Sequence, residues 1–323
     1  MKESPEPPSS LWANVFHRSC FAMNTRFSMV VVGIDAEKAE DLAISAEREL
    51  CACEQLMSRF DPDSPVSELN RHAREKAVEP PQALWEILTL CRDYWKRTGG
   101  AFDITQWPLN CLWRSHLERC EEPAEEAIAE ARQQTGMQYL DLDPIVHAVQ
   151  FQRKGMSIDL GGFGKGFALE RLANILRAQR VESAFLSFGE SSITVLGSHP
   201  HGSNWPIGIS NIFEPLQTVH TFHLQDASLS SSGTTPYNRM GRARLVGQII
   251  NPHTGCPIEG YRTLSVASHS AIEAEVLSTA LLVTREEDRA ALLSGFSAIS
   301  AVEIVYHSQN GDFVPHFQWH YGL

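Results

Sequence analysis

The segment that most constrains this chain is residues 157–168, with the sequence SIDLGGFGKGFA. A short extended run breaks into glycines and opens directly into a helical pattern. Glycines let the backbone approach a ligand closely, and the free N–H groups of a first helical turn point at an anion. Lys165 adds a positive charge. The segment therefore predicts a strand, a turn and a helix that bind an anion, and a phosphate-bearing ligand is the first hypothesis.

The glycine segment matches neither of the two common nucleotide-binding patterns. No Ser or Thr follows Lys165, as a P-loop requires, and there is no G-x-G-x-x-G with an acidic residue about 20 positions later. A tight strand-to-helix connection with an exposed lysine is therefore the alternative to a ligand site.

Composition limits the class of protein and its partners. The 323 residues are 43% hydrophobic and 20% charged, which suits one large core or two lobes around a cleft. A net charge of -12 argues against nucleic acid or an anionic membrane as the main partner. Seven cysteines without paired C-x-x-C spacing predict reduced thiols rather than disulfides or a zinc site.

The N-terminal residues are acidic and rich in proline, so we expect residues 1–15 to form a disordered lead. No apolar stretch is long enough for a signal peptide or a membrane span, and no lipobox is seen. These observations predict a cytoplasmic protein without a membrane-spanning segment.

Helical and strand patterns alternate along the chain and predict an α+β fold with mostly antiparallel strands. We expect helices over residues 35–57, 81–97, 163–178, 271–283 and 286–293, and strands over 26–33, 148–151, 156–160, 184–188, 193–196 and 218–224.

Six short motifs occur in one order at sensible spacings. They are AMNTRF (22–27), FDPDSPVSELN (60–70), TGGAFD (98–103), DLGGFGKG (159–166), NPHTG (251–255) and AEVLSTA (274–280). Together they resemble the ApbE-like family of FAD:protein FMN transferases, over nearly the whole chain. The resemblance implies two α/β lobes with a mixed, mostly antiparallel sheet and a flavin cleft between them, in one domain over residues 16–323.

The resemblance implies a Mg²⁺-dependent enzyme that splits FAD and moves FMN to a Thr or Ser hydroxyl of an acceptor protein with a flavinylation-type motif, releasing AMP. Attack on the pyrophosphate builds charge on phosphoryl oxygens, which a hard cation stabilises. The family holds this ion with an Asp, a Thr and a backbone carbonyl, which correspond to Glu275, Thr279 and Gly164. The i, i+4 spacing puts the first two on one helix face. Alternatively, Glu275 is a solvated carboxylate and Thr279 packs against a neighbour.

The resemblance also assigns contacts to FAD. The corresponding positions are Met23, Phe60, Phe102, Asp103, Asp159, Gly161, Gly162, Lys165, Glu170, Gly189, Ser232, Gly233 and Thr254. Phe60 stands where Tyr is usual and can stack on the flavin without the hydroxyl. The alternative for Phe60 is a loop aromatic tucked into the core.

The largest departure from the family pattern lies just before residue 251. Family members carry a His, the candidate general base, three residues ahead of an Asp-Pro-x-Thr-Gly run, whereas this chain has Gln248 and Asn251. Neither amide takes up a proton near neutral pH. His253 either substitutes for the base or is an exposed loop histidine. We assign Gln248, Asn251, His253 and Lys165 to the catalytic group and expect slowed transfer.

Two other functions stay open at this point. One is a flavin-binding protein that has lost transfer activity. The other is a Mg²⁺-dependent FAD hydrolase that produces FMN and AMP, with water in place of the acceptor hydroxyl.

Overall fold

The computed structural model describes residues 14–202, 204–239, 242–246, 249–309 and 312–321. The strands are β1 Val15–Ala22, β2 Thr25–Val32, β3 Leu140–Asp143, β4 Ala148–Phe151, β5 Ser183–Phe188, β6 Ser192–Leu196, β7 Trp205–Ser210, β8 Thr218–Leu224, β9 Ser228–Gly233, β10 Thr235–Arg239, β11 Arg242–Val246, β12 Tyr261–Ser268, β13 Ser300–Gln309 and β14 Asp312–Tyr321. The helices are α1 Ala36–Met57, α2 Pro65–His72, α3 Gln82–Arg97, α4 Trp107–Leu117, α5 Glu125–Gln133, α6 Gly164–Ala178, α7 Ala271–Val283 and α8 Glu286–Leu293.

Within the described ranges, eight strands form one sheet in the order β1-β2-β5-β6-β9-β12-β13-β14. Each neighbouring pair is antiparallel. Three further antiparallel pairs, β3-β4, β7-β8 and β10-β11, stand apart from this sheet. The predicted α+β class is thus confirmed. Most of the lead expected over residues 1–15 lies outside the described residues. None of the helices in the described part of the chain is long and apolar enough to cross a membrane.

The sheet buries both of its faces. Successive side chains of a strand point to opposite faces, and on β13 Ala301 belongs to the larger apolar cluster whereas Val302 belongs to the smaller one. The larger cluster joins the sheet to α1, α3, α6 and α7, and the smaller one covers the other face with the β7-β8 hairpin. This layering explains why central strands such as β6 and β12 are buried on both faces, whereas the edge strands β1 and β14 are partly exposed.

Helix α7 is buried along nearly its whole length and packs against α6, β9 and β12. Its first residues are fixed by Glu170 of α6, whose Oε2 accepts hydrogen bonds from Ser270 Oγ (3.0 Å) and Ala271 N (2.8 Å). Gly166 lets the two helices approach, because a Cβ there would lie 2.6 Å from the carbonyl O of Ala271 and 2.8 Å from Cβ of Glu275. The start of α6 and the first turns of α7 are therefore locked together.

The predicted boundaries of 148–151, 218–224, 271–283 and 286–293 are confirmed to the residue. The predicted strand over 156–160 is wrong. Ile158 pairs with a side chain instead of a strand: its N–H donates to Asn70 Oδ1 (2.8 Å) and its carbonyl accepts from Asn70 Nδ2 (3.0 Å). Asp159 N donates to the carbonyl of Ile104 (2.7 Å). An amide side chain thus mimics a neighbouring strand just before the glycine turn.

Candidate functional site

The glycine turn has an open face. Oδ1 of Asp159 accepts the N–H of Gly161 (2.8 Å) and holds the turn. Gly161 and Gly162 are exposed, and a Cβ built on Gly162 would meet nothing within 4 Å. Phe163 is fully buried and anchors the turn to the core. The turn therefore offers accessible backbone at the start of α6, as the sequence predicts for an anion site.

Lys165 points away from this open face and into the protein. Its Nζ donates to Oε1 of Glu275 and to Ser192 Oγ (3.1 Å). The other carboxylate oxygen, Oε2, accepts from Ser192 Oγ (2.7 Å) and Ser230 Oγ (3.0 Å). Glu275 is only 4% exposed. The alternative of a solvated helix carboxylate is therefore excluded, and the positive charge of Lys165 is balanced by a buried carboxylate.

Thr279 lies one helical turn beyond Glu275 and is half-buried. Its Oγ1 is 3.3 Å from Ser232 Oγ, which in turn lies 2.8 Å from Ser278 Oγ. Gly233 follows on β9, and a Cβ there would lie 2.6 Å from the carbonyl O of Arg262 on β12. The structure thus brings Ser232 and Thr279 together, whereas Gly233 allows two strands to pack closely.

The predicted metal ligands fit Mg²⁺ in donor type. A buried carboxylate and a hydroxyl one turn later on the same helix are hard oxygen ligands. No group of three His, Cys, Asp or Glu side chains in the described ranges is arranged as a metal centre, so Glu275 would supply the single carboxylate. Its Oε1 would be shared with Lys165. Gly164, the carbonyl candidate, packs tightly, since a Cβ there would lie 2.9 Å from Met23 Cε.

An aromatic cluster stands beside the turn. Phe60 is 73% exposed, so the alternative of a ring tucked into the core is excluded. Its ring meets Trp107 edge to face at 6.1 Å. The guanidinium carbon of Arg59 lies 3.2 Å from the centroid of the Trp107 ring. Sequence reasoning missed Arg59 and Trp107, because nothing in the pattern shows that the start of α4 meets the loop after α1.

Phe102 contributes to the core rather than to an open surface. It is 4% exposed, and its ring centroid is 6.5 Å from that of Phe163. Met23, by contrast, is half-buried in the β1-β2 turn with a positive φ of 50° and touches the start of α6. Of these two predicted contacts, only Met23 has a side chain partly open to solvent.

Asp103 and His253 are neighbours across two loops. Oδ1 of Asp103 accepts from Thr105 N (2.7 Å) and Oγ1 (2.6 Å), and Oδ2 accepts from Met137 N (3.1 Å). Burial raises the pKa of the Asp103 carboxyl, while these hydrogen bonds and His253 act in the opposite direction. His253 is exposed beside Gly100, and a Cβ built on that glycine would lie 3.4 Å from the imidazole Cε1. The loops after α3 and before β12 therefore meet here.

Asn251 shapes the loop that carries His253. Its Nδ2 donates to the carbonyl of Val283 at the end of α7 (3.1 Å), and its Oδ1 accepts from His253 N (2.9 Å). Thr254 is exposed, and its Oγ1 accepts from Cys256 N (3.2 Å). Both ends of the Asn251 amide are thus occupied by backbone groups. Gln248 lies outside the described residues.

Gly189 lies in the β5-β6 turn at a φ of 54°. A Cβ there would lie 2.5 Å from Thr25 Oγ1, and its N–H donates to the carbonyl of Arg26 (2.8 Å). This residue therefore joins the β5-β6 turn to the β1-β2 turn beside Met23. The close approach of Thr25 accounts for a glycine at position 189. The hydrogen bonds to Ser270 and Ala271 account for a carboxylate at Glu170.

The model of the ApbE family matches residues 23–302. The FAD:protein FMN transferase of Salmonella typhimurium is 30% identical over 270 residues, which cover 81% of this chain and 76% of the relative. The FAD:protein FMN transferase of Escherichia coli K12 is 26% identical over 292 residues, 88% of this chain and 83% of the relative.

Solved structures agree with the described fold. The apo form of the Pseudomonas stutzeri flavinyl transferase ApbE superposes with a TM-score of 0.78 and 25% identity, over 94% of each chain. The ApbE protein of Thermotoga maritima shows the same fold, with a TM-score of 0.77 over 90% of this chain and 94% of that one.

Proposed function

The chain belongs to the ApbE family, and from this membership we propose that it is an FAD:protein FMN transferase, which moves FMN from FAD to a hydroxyl of an acceptor protein. The match over residues 23–302 carries the proposal, because this range includes the glycine turn, the Lys165–Glu275 pair and the loop of residues 251–255. The acceptor motif and a cytoplasmic location stay predictions from the sequence.

We place FAD against the open face of the glycine turn. The exposed backbone of Gly161 and Gly162 supports this placement, since the N–H of Gly162 can donate to a phosphate oxygen while that of Gly161 is held by Asp159. The exposed ring of Phe60, next to Arg59 whose Nη1 donates to the carbonyl of Ile158 before the turn, offers a stacking surface to the flavin. Asp159 shapes the turn through its bond to Gly161.

Glu275, Thr279 and the carbonyl of Gly164 would hold Mg²⁺ in this proposal. When bound, the ion would stabilise the negative charge that develops on the phosphoryl oxygens. Ser192 and Ser230 fix the Glu275 carboxylate from one side, and Lys165 fixes it from the other. Protein groups thus fix both oxygens of the Glu275 carboxylate in place.

The acceptor hydroxyl must lose a proton as it attacks phosphorus. Asn251 is unsuited to receive it, because an amide is not basic and both ends of this one bond to backbone. We propose that an imidazole nitrogen of His253, exposed beside Asp103, receives the proton. FAD hydrolysis is the second candidate function, favoured by the replacement of the family's His and Asp by Gln248 and Asn251.

One experiment separates these functions. Purified protein is incubated with FAD, Mg²⁺ and a peptide that carries a flavinylation-type Thr motif, and the products are read by mass spectrometry. A peptide with Val in place of the Thr is the matched control. Transfer predicts a peptide heavier by FMN less one water, together with free AMP, and no gain on the control. FMN and AMP with an unmodified peptide would indicate hydrolysis, and bound but intact FAD would indicate a binding protein.

A further inference from the structure

We propose that Arg59, rather than Lys165, supplies the free positive charge that binds the phosphates of FAD at the glycine turn. The inference rests on the proposed function, since it takes FAD as the ligand. It assigns a binding role to a residue outside the glycine motif.

The positive charge of Lys165 is the first candidate for binding the phosphates. A lysine in a glycine-rich turn is expected to face the phosphates, but this one donates to buried Glu275 and to Ser192. Its side chain is 25% exposed and that of Glu275 is 5% exposed. In the metal-free protein, moving Lys165 toward a ligand would leave a buried carboxylate without its counter-ion, which is costly. The charge of Lys165 is therefore committed inside the protein when no metal is bound.

Arg59 differs from the arginines that are held in salt bridges. Within the described residues, no carboxylate lies within ion-pair distance of it. In the described part of the chain, the arginines that do have such partners are Arg18, Arg26, Arg97, Arg119, Arg171, Arg262, Arg285 and Arg289. Asp159 is near enough to affect Arg59 electrostatically, but its Oδ1 is bonded to Gly161 N. Arg59 thus carries a positive charge without a salt-bridge partner in the described ranges.

The guanidinium of Arg59 is held next to the turn. Nη1 donates to the carbonyl of Ile158 (3.3 Å), three residues before Gly161, and the group lies on the Trp107 ring at 3.2 Å. Nε is buried and makes no hydrogen bond in the described part of the chain. A stacked, half-buried guanidinium with unused donors is pre-organised for a phosphate, which it can bind through two parallel hydrogen bonds.

Asn70 fixes this arrangement from the other side. It bonds to both the N–H and the carbonyl of Ile158, so the carbonyl that anchors Arg59 is immobilised by α2. Burial lowers the pKa of Arg59, with Asp159 acting in the opposite direction, yet a guanidinium stays protonated in proteins. A pyrophosphate beside it would supply the missing counter-ion.

The test compares ligands with and without phosphate. Binding of FAD and riboflavin is measured by flavin fluorescence, and binding of ADP by competition, for wild type and Arg59→Met. We expect Arg59→Met to weaken FAD and ADP binding by about 10- to 100-fold, the range for a lost hydrogen bond to a charged group. Riboflavin has no phosphate, so its affinity should change by less than about threefold.

Arg97→Met is the matched control. The guanidinium of Arg97 also lies on an aromatic ring, Phe296 at 3.9 Å, but it is paired with Glu273 (3.3 Å) and Asp93 (3.6 Å). Its loss should leave FAD affinity unchanged. If Arg59→Met fails to fold by circular dichroism, Arg59→Gln replaces it, and Arg59→Lys should retain part of the affinity that Gln loses.

The outcomes distinguish the two proposals. Unchanged FAD affinity in Arg59→Met, or an equal loss for FAD and riboflavin, overturns the assignment of Arg59 to the phosphates. Wild-type protein that binds neither FAD nor ADP overturns the proposed function. The assignment is supported if folded Arg59→Met protein loses affinity for FAD and ADP but not for riboflavin, while Arg97→Met keeps the wild-type FAD affinity.

Discussion

Lys165 on α6 and Glu275 on α7, 110 residues apart in the chain, form an ion pair in the interior of the candidate site. Two serine hydroxyls complete the environment of the carboxylate. The longer arm of Glu, where the family has Asp, lets the carboxylate extend across to β6 and β9. Glu275, which replaces the family's Asp, is therefore bonded to Lys165 through one carboxylate oxygen and to Ser192 and Ser230 through the other.

This pair should contribute to stability in a way that a double variant reveals. Lys165→Met should lower the free energy of unfolding by about 2–4 kcal/mol, because it leaves a buried carboxylate unpaired. Adding Glu275→Gln removes that charge and keeps acceptors for Ser192 and Ser230, so the double variant should recover most of the loss. Urea unfolding measures both. A double variant as unstable as Lys165→Met would contradict the pairing.

The placement of the metal ligands is tested on α7. Thr279→Val removes one hydroxyl with little change in shape, and we expect it to slow FAD cleavage by more than about tenfold, the effect of losing one charge-stabilising contact. Ser278→Ala is the matched control, since Ser278 is buried and bonds to Ser230 and Ser232. It should affect stability more than cleavage. Full cleavage by wild type in excess EDTA, measured by AMP release, would argue against a metal.

The elements around the site were predictable where local patterns are strong. Helix α7 is flanked by clear signals, with Ser270 as its N-cap. Strand β1 was missed because polar residues such as His17 and Arg18 alternate along an edge strand that is half exposed. Its pairing with β2 depends on a turn with positive φ at Met23 and Asn24; Asn is a residue type that favours this conformation, but Met23 does not signal it.

The site itself was predictable as a set of motifs but not as a set of contacts. The sequence places Lys165 beside the turn glycines, and only packing of α6 on α7 shows that it faces Glu275. Likewise, Asn70 completes a motif in the sequence, whereas its bonds to Ile158 across 88 residues require the fold. Long-range pairings of this kind leave no local trace.

Acid should weaken the fold through His320 on β14. Arg289 Nη1 donates to its Nε2 (3.1 Å), which requires the neutral ring. Burial lowers the pKa of His320 from the ordinary 6.5, and Arg289 lowers it further, against the opposing effect of Glu303 and Glu286. The unfolded state therefore binds more protons, and stability is lost as the pH falls through about 6.5.

His320→Gln should remove this part of the acid loss. Urea unfolding of variant and wild type between about pH 5 and 8 tests it, because the difference between them isolates one histidine from the others. The stability of the wild type should fall more steeply on the acid side. Parallel curves for the two proteins would show that His320 does not contribute.

Two glycines of one motif should differ in how much stability they lose when each is replaced by alanine. A Cβ at Gly166 would lie 2.6 Å from the carbonyl O of Ala271 and 2.8 Å from Cβ of Glu275, so Gly166→Ala must push α6 and α7 apart. We expect it to lower the unfolding free energy by about 1–3 kcal/mol, the usual cost of overpacking. A Cβ at Gly162 meets nothing within 4 Å, so Gly162→Ala should leave the thermal unfolding temperature unchanged.

The same Gly162→Ala should nevertheless weaken FAD binding if the open face of the turn receives phosphates, because the added methyl group stands where the ligand must approach the backbone. Riboflavin binding should be spared, since riboflavin has no phosphate to bring to the turn. Fluorescence titrations of both ligands, on protein shown by thermal scan to be as stable as wild type, measure this. A stable Gly162→Ala variant with wild-type FAD affinity would mean that the phosphates lie elsewhere.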